Sequence, residues 1–131
     1  MRELKITLYG DPKTKKNSQR IIHCGRYPRV LPSEAYVDYS KDCLKQITAR
    51  YKLKISEPVN VKCLYYMRTR RKVDLVNLLE ATCDILVAAG VLEDDNSKII
   101  VSMDGSRVYH DKENPRVEVT INAEEELAEK D

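Results

Sequence analysis

Residues 74–89 constrain the fold most, because their pattern predicts one amphipathic helix with both ends marked. Asp74 stands at the N-cap position and Gly90 at the C′ position, where these residue types are favoured. Between them, a broad apolar face is formed by Leu75, Leu78, Leu79, Thr82, Ile85, Leu86 and Ala89. A helix with such a face must be covered by a sheet or by another helix.

The opposite side of this helix is acidic. At about 100° per residue, Asp74, Asn77, Glu80 and Asp84 fall on a common side. The helix belongs to a longer stretch, residues 71–95, in which a basic triplet precedes it and the pair Asp94-Asp95 follows its end. We interpret this stretch as an acidic, metal-binding centre. The same residues also suit a helix cap, a solvated helix face and a turn, and their spacing alone does not decide between the two.

The other elements follow from shorter patterns. Alternation predicts strands at 2–9, from 59 to 67, at 98–103 and at 116–121, and a hairpin over 20–30 that turns near Gly25. Ser33 is the expected N-cap of a first helix that reaches about residue 50. The predicted order is β-(ββ)-α-β-α-β-β. This is an α/β (α+β) fold with one domain, residues 1–122, a small mixed sheet and two main helices, followed by an acidic tail, residues 123–131.

Charge is divided between the two halves of the chain. Residues 1–72 contain 18 Lys and Arg against 6 Asp and Glu, whereas residues 73–131 contain 5 against 15. A basic half suggests a polyanionic partner. The predicted phosphate contacts are Lys13, Lys15, Lys16, Asn17, Arg20, Arg68, Arg70, Arg71 and Lys72. Charge alone fits two solvated faces with an acidic tail equally well. A further alternative is a protein-interaction module whose charged halves complement each other between subunits.

The acidic residues suggest a particular metal. Carboxylate oxygens are hard ligands that suit Mg²⁺ or Mn²⁺, and such an ion can activate water and neutralise charge on a phosphate. Asp74 and the pair Asp94-Asp95 are the best candidate ligands, with Glu80 and Asp84 as support.

Other classes of protein are disfavoured. No apolar run approaches the length of a membrane span and no signal peptide is visible, so we expect a cytoplasmic protein without membrane contact. The four Cys form no CxxC pair and show no zinc spacing with the two His, which favours buried free thiols. The loop GDPKTKKNS lacks the GxxxxGK[ST] pattern, so no nucleotide cofactor is expected.

The block VDLVNLLEATCDILVAAGVLEDD resembles the core of the RusA-type Holliday junction resolvases. In this resemblance Asp74 matches the first Asp of the family pattern, Asn77 its Asn and Asp84 its helix Asp. Gly90-Val91 and Asp94-Asp95 match the following turn, and Asp95 falls on the catalytic acid. The opening loop with Pro12, Lys16 and Asn17 is also similar, and the order of elements agrees to about residue 122.

The resemblance implies a Mg²⁺-dependent endodeoxyribonuclease, active as a homodimer, that resolves four-way or branched DNA by paired nicks in recombination and repair. Asp74, Asp95, Asp94 and Glu80 would be catalytic, with metal held by Asp74, Asp95, Asp94 and Asp84 and the site supported by Asn77. Two positions depart from the pattern: Val76 replaces the second metal-site Asp, and Glu80 replaces a Lys. Glu80 could supply the missing carboxylate, with Arg70, Lys72 or Lys98 as the cation. The alternative is a structure-selective DNA-binding protein that has lost metal chemistry.

Overall fold

The computed structural model describes residues 3–15, 20–25 and 27–124. The elements follow in the order β1 (Glu3–Tyr9), β2 (Arg20–Cys24), β3 (Tyr27–Leu31), α1 (Glu34–Gln46), a 3-10 helix (Ala49–Tyr51), β4 (Val59–Met67), α2 (Leu75–Ala88), β5 (Ile100–Ser102), β6 (Arg107–His110) and β7 (Arg116–Ala123). The predicted α+β class with a mixed sheet and two helices is confirmed. None of the helices in the described ranges is long and apolar enough to cross a membrane.

The main sheet is built around β4. On one side of β4 lies β7, which pairs antiparallel with β4 and, along its other edge, antiparallel with β1. On the other side β5 and β6 both pair parallel with β4, β5 near its start and β6 near its end. Parallel pairing requires a crossover connection, which α2 supplies between β4 and β5.

Both helices pack on one face of this sheet, as strand alternation requires. Along β4 the residues Val59, Val61, Cys63 and Tyr65 are fully buried. Lys62, Leu64 and Tyr66, which point to the other face, are partly exposed. The Tyr65 hydroxyl lies 2.7 Å from Thr82 Oγ1, and the Thr82 hydroxyl donates to the Leu78 carbonyl oxygen (3.0 Å). Tyr65 is therefore the donor to Thr82, and this buried bond joins the centre of the sheet to α2.

The predicted starts of both helices and the end of α2 are confirmed, but α1 and β5 are shorter than predicted, β7 is longer and one strand was missed. Helix α1 ends at Gln46, because Ile47 is already extended (φ −85°, ψ 101°). Strand β5 begins only at Ile100, since Asn96 holds the backbone N–H groups of Lys98, Ile99 and Ile100 in a turn. Strand β6 was not predicted. Its four residues alternate too briefly to stand out from two neighbouring turns, and its partner β4 is about forty residues away in the chain.

The described cysteines agree with the expectation of buried free thiols. Cys43, Cys63 and Cys83 are unpaired and buried. Burial raises the pKa of the Cys43 thiol to about 11 and the pKa of the Cys63 and Cys83 thiols to about 12. These thiols are structural, because the nucleophilic form of a thiol is the thiolate.

Candidate functional site

A cleft of about 390 Å³ opens where the N-terminal loop faces the end of β4. Two segments that are distant in sequence, residues 11–14 and 67–73, form its basic walls, and the start of α1 completes it. Its lining consists of Asp11, Pro12, Lys13, Thr14, Ser33, Ala35, Met67, Thr69, Arg71, Lys72 and Val73. The cleft thus ends one residue before Asp74, at the start of α2.

Asp11 holds the two walls together. Its Oδ1 accepts a hydrogen bond from the Arg68 backbone N–H (3.0 Å), and its Oδ2 accepts one from Lys13 Nζ (3.1 Å). Gly10 lets the chain turn from β1 into this loop, because its φ of +122° lies where a side chain would be strained. The single acid in a basic loop therefore has a structural role that sequence analysis missed.

The basic residues after β4 are available for an anionic ligand. Arg68, Arg70, Arg71 and Lys72 are all exposed. Within 3–15, 20–25 and 27–124, none of the four takes part in an ion pair. Their predicted role as phosphate contacts stays a prediction, and the cleft places Arg71 and Lys72 beside Lys13.

Thr14 is a second cleft residue that sequence analysis missed. Its side chain is buried, with 3% of its surface exposed, although it lies in a polar loop. Threonine in a loop is ordinarily a surface residue. No sequence signal could have found it, because its burial depends on the contact between the loop and the rest of the domain.

Lys15 lies outside the cleft lining, on the acidic side of α2. Its ammonium forms an ion pair with Asp84, and this hydrogen-bonded contact raises the pKa of Lys15 against the opposing effect of burial. The hydroxyl of Tyr36 is close by, and burial raises its pKa. The structure therefore joins two residues that sequence analysis had assigned to different tasks, DNA contact for Lys15 and metal support for Asp84.

The start of α2 has the predicted geometry. Asp74 is its N-cap, and Oδ1 of Asp74 accepts a hydrogen bond from the Val76 backbone N–H (3.0 Å). Asp74 and Glu80 are exposed, and Asn77 and Asp84 are partly exposed. Val76 is 68% exposed, so an apolar side chain stands in solvent among these polar residues.

The acidic turn after α2 is exposed and internally bonded. Asp94 Oδ1 accepts from the Asp95 backbone N–H (2.8 Å), and its Oδ2 accepts from Asn96 Nδ2 (3.0 Å). The bond from Asn96 has the largest effect and the bond from the Asp95 N–H the next largest, and both lower the pKa of Asp94. Burial, and after it the charges of Asp95 and Asp84, raise the pKa of the Cys83 thiol.

The candidate ligands offer suitable atoms but do not converge. Exposed carboxylate oxygens are the donors that Mg²⁺ prefers. However, within the part of the chain that the structure describes, no three Asp, Glu, His or Cys side chains are placed to hold a metal ion together. Asp84 is engaged by Lys15, and both oxygens of Asp94 accept bonds inside the turn. The proposed ligand set of Asp74, Asp84, Asp94 and Asp95 stays a prediction.

Three predicted DNA contacts cannot be located. Lys16 and Asn17 lie outside the described residues. Arg20 begins β2, but its side chain also lies outside the description.

Comparison with known proteins identifies the family. The sequence model of a protein family, described as endodeoxyribonuclease RusA, matches residues 10–122, which is most of the chain. The match includes both walls of the cleft, α2 and the acidic turn. A search of curated proteins found no match. The resemblance found in residues 74–95 is thereby confirmed, and the chain belongs to the RusA family of endodeoxyribonucleases, the RusA-type Holliday junction resolvases.

Proposed function

We propose that this protein is a divalent-metal-dependent endonuclease that cuts four-way or branched DNA by paired nicks. The observation that carries the proposal is the cleft, because it unites two basic segments and ends beside the first acid of α2. A DNA backbone lying against Lys13, Arg71 and Lys72 would bring a phosphate toward Asp74. Contacts of this kind recognise the shape of the backbone rather than the base sequence.

Asp74 and Asp95 are the proposed metal ligands, with Asp94, Asp84 or Glu80 as auxiliary carboxylates. A bound Mg²⁺ or Mn²⁺ would polarise the phosphate and lower the pKa of a bound water. The protein itself contributes positioning: the cap bond to Val76 fixes the Asp74 carboxylate at the start of α2. The basic side chains offset the charge of the DNA backbone.

A second candidate is a DNA-binding protein without nuclease activity. It is favoured by Val76, which is exposed on the acid-bearing side of α2 where a further carboxylate would otherwise be available. Such a protein would retain the cleft and its basic walls. It would bind branched DNA with strong salt dependence and leave the strands intact.

One assay distinguishes the two candidates. A synthetic four-way junction is incubated with the protein in Mg²⁺, in Mn²⁺ and in chelator. Asp74→Asn and Asp95→Asn should abolish nicking without weakening binding in chelator, because each variant removes a negative charge that repels phosphate and keeps the size of the side chain. At Asp74 the helix cap is also kept, since Asn is about as favourable an N-cap as Asp. Asp104→Asn, an exposed acid in the turn before Gly105, is the matched control and should nick normally.

The outcome assigns the function directly. Metal-dependent paired nicks that disappear in the two variants support the enzyme. Salt-sensitive binding without nicks in either metal supports the second candidate. A protein that does not bind DNA at low salt contradicts both and favours an interaction module.

We also propose that the active form is a homodimer. Two symmetric sites would suit paired nicks on the two strands of a symmetric junction. Sedimentation equilibrium of the free protein tests this, and a monomer that still makes paired nicks would contradict it.

A further inference from the structure

One side of the β2–β3 hairpin carries an exposed, mostly apolar patch. The pairing of the two strands places Ile21 opposite Val30 and His23 opposite Pro28, with all four side chains on the same side. All four are exposed, Ile21 by 68% and Val30 by 61%. We call these four residues the hairpin patch.

An uncovered patch of this kind is unfavourable for such a small element. The hairpin forms a two-stranded sheet of its own, and within residues 3–15, 20–25 and 27–124 it does not pair with the main sheet. Two-stranded ribbons are only marginally stable in water, and apolar surface left in water forgoes about 25 cal/mol per Å². The hairpin would gain stability from any surface that covers the patch.

The charge of the hairpin sequence indicates what kind of surface this is, since residues 20–31 contain Arg20, Arg26 and Arg29 and no Asp or Glu. Residues 12–33 contain six Lys and Arg and no Asp or Glu. Arg29 lies on the other side of the ribbon and is exposed. A segment whose charged residues are all basic and whose other side chains are partly apolar is complementary to a partner with phosphates and exposed base faces. It can contact the phosphates and the bases at the same time.

We infer that the β2–β3 hairpin binds branched nucleic acid by placing the hairpin patch against bases that are unstacked at the branch point. Apolar side chains that contact unstacked bases are a recurrent way of binding distorted DNA. Unstacked bases are also what a branch point offers and a continuous duplex does not. The hairpin would therefore favour junctions over duplexes, separately from the phosphate contacts in the cleft.

A second copy of this chain is the less suitable occupant. Four side chains offer far less than the roughly 800 Å² per partner that a stable protein interface buries. The absence of acids in residues 12–33 would also place two strongly basic ribbons together in a symmetric contact. Charge repulsion opposes that contact, whereas it favours a polyanion.

The test measures binding in chelator, so that it does not depend on nuclease activity. Fluorescence anisotropy compares a synthetic four-way junction with a linear duplex of the same sequence. The variant Ile21→Thr/Val30→Thr keeps β-branched side chains and the charge of the hairpin but makes the patch polar. Val101→Thr is the matched control, since Val101 is 47% exposed on strand β5.

The double variant should lose about tenfold in affinity for the junction, with affinity for the duplex and the salt slope unchanged. Arg29→Gln should instead weaken binding to both DNAs and reduce the salt slope by about one. The swap Ile21→Val/Val30→Ile keeps the patch apolar and should bind like the natural protein. The fluorescence of 2-aminopurine placed at the branch point should change when the natural protein binds, and much less when the double variant binds.

The inference is overturned if the double variant, still folded by circular dichroism, binds junction and duplex like the natural protein. It is also overturned if junction and duplex affinity fall equally, or if the variant changes only the oligomeric state, which would identify a second copy as the occupant. The inference rests on the proposed function for its substrate, but the two fail differently. Absence of nicking with hairpin-dependent junction binding would contradict only the nuclease proposal.

Discussion

Replacing Asp11 separates two opposite effects of one carboxylate on DNA binding. Its charge repels phosphate, but its two oxygens join the loop at Lys13 to the end of β4 at Arg68. Asp11→Asn removes the charge and retains an acceptor for the Arg68 N–H. Asp11→Ala removes both the charge and the acceptor.

The expected magnitudes follow from the geometry around the carboxylate. The Lys13 side chain is 41% exposed, so its ion pair with Asp11 contributes at most about 1 kcal/mol to stability. A hydrogen bond that involves a charged group contributes about 1.5–3 kcal/mol. Asp11→Ala should therefore cost about 2 kcal/mol of unfolding free energy, and Asp11→Asn about 1 kcal/mol or less.

Binding should change in opposite directions in the two variants. Removing one charge about 8 Å from a phosphate in a water-like medium gains about 0.5 kcal/mol, so Asp11→Asn should bind a junction about twofold more tightly. Asp11→Ala should bind about tenfold more weakly, because the two basic walls of the cleft are no longer held together.

Anisotropy in chelator measures the affinities of both variants, and urea unfolding measures their stabilities. The reasoning is refuted if Ala and Asn tighten binding equally. In that case the carboxylate would act on DNA only through its charge, and the cleft would not depend on Asp11.

Two further predictions concern the interior and the acidic side of α2. A double-mutant cycle with Lys15→Met and Asp84→Asn should give a coupling energy of about 0.5–1 kcal/mol, since each side chain is 35% exposed. Because the pair raises the pKa of Lys15, this coupling is complete below the unfolded pKa of lysine and is lost as pH rises through the folded one. Burial raises the pKa of Cys43, Cys63 and Cys83, so mass spectrometry should find these thiols unalkylated at pH 8 until the protein unfolds. Rapid alkylation of folded protein, or a coupling that is unchanged in high salt, would contradict these interpretations.

Local signals in the sequence predicted the starts of both helices, the end of α2 and the main strands correctly. Asp74 accepts the bond expected of an N-cap, Ser33 accepts one from the Tyr36 backbone N–H, and Gly90 has a φ of +80°. The strand predicted from 59 to 67 has the same bounds as β4. Each of these features depends on residues within a few positions of one another, which is why a single sequence was enough.

Pairings over long distances in the chain were not accessible in this way. Strand β6 is defined by its partner β4, and the cleft by the bond from Arg68 to Asp11, whose positions are far apart in sequence. The assignment of Lys15 is a similar case. Its charge suggested a phosphate contact, but the fold places it beside Asp84.

The sequence by itself determined most of the elements, the family and the acidic character of residues 74–95, because caps, alternation and motif order are local properties. The tertiary structure decided how the charges are used. It joined the two basic segments in one cleft, engaged Asp84 with Lys15 and left the hairpin patch exposed. The physical reason is that a charge acts over a few ångströms in space, and only the folded chain sets which charges are that close.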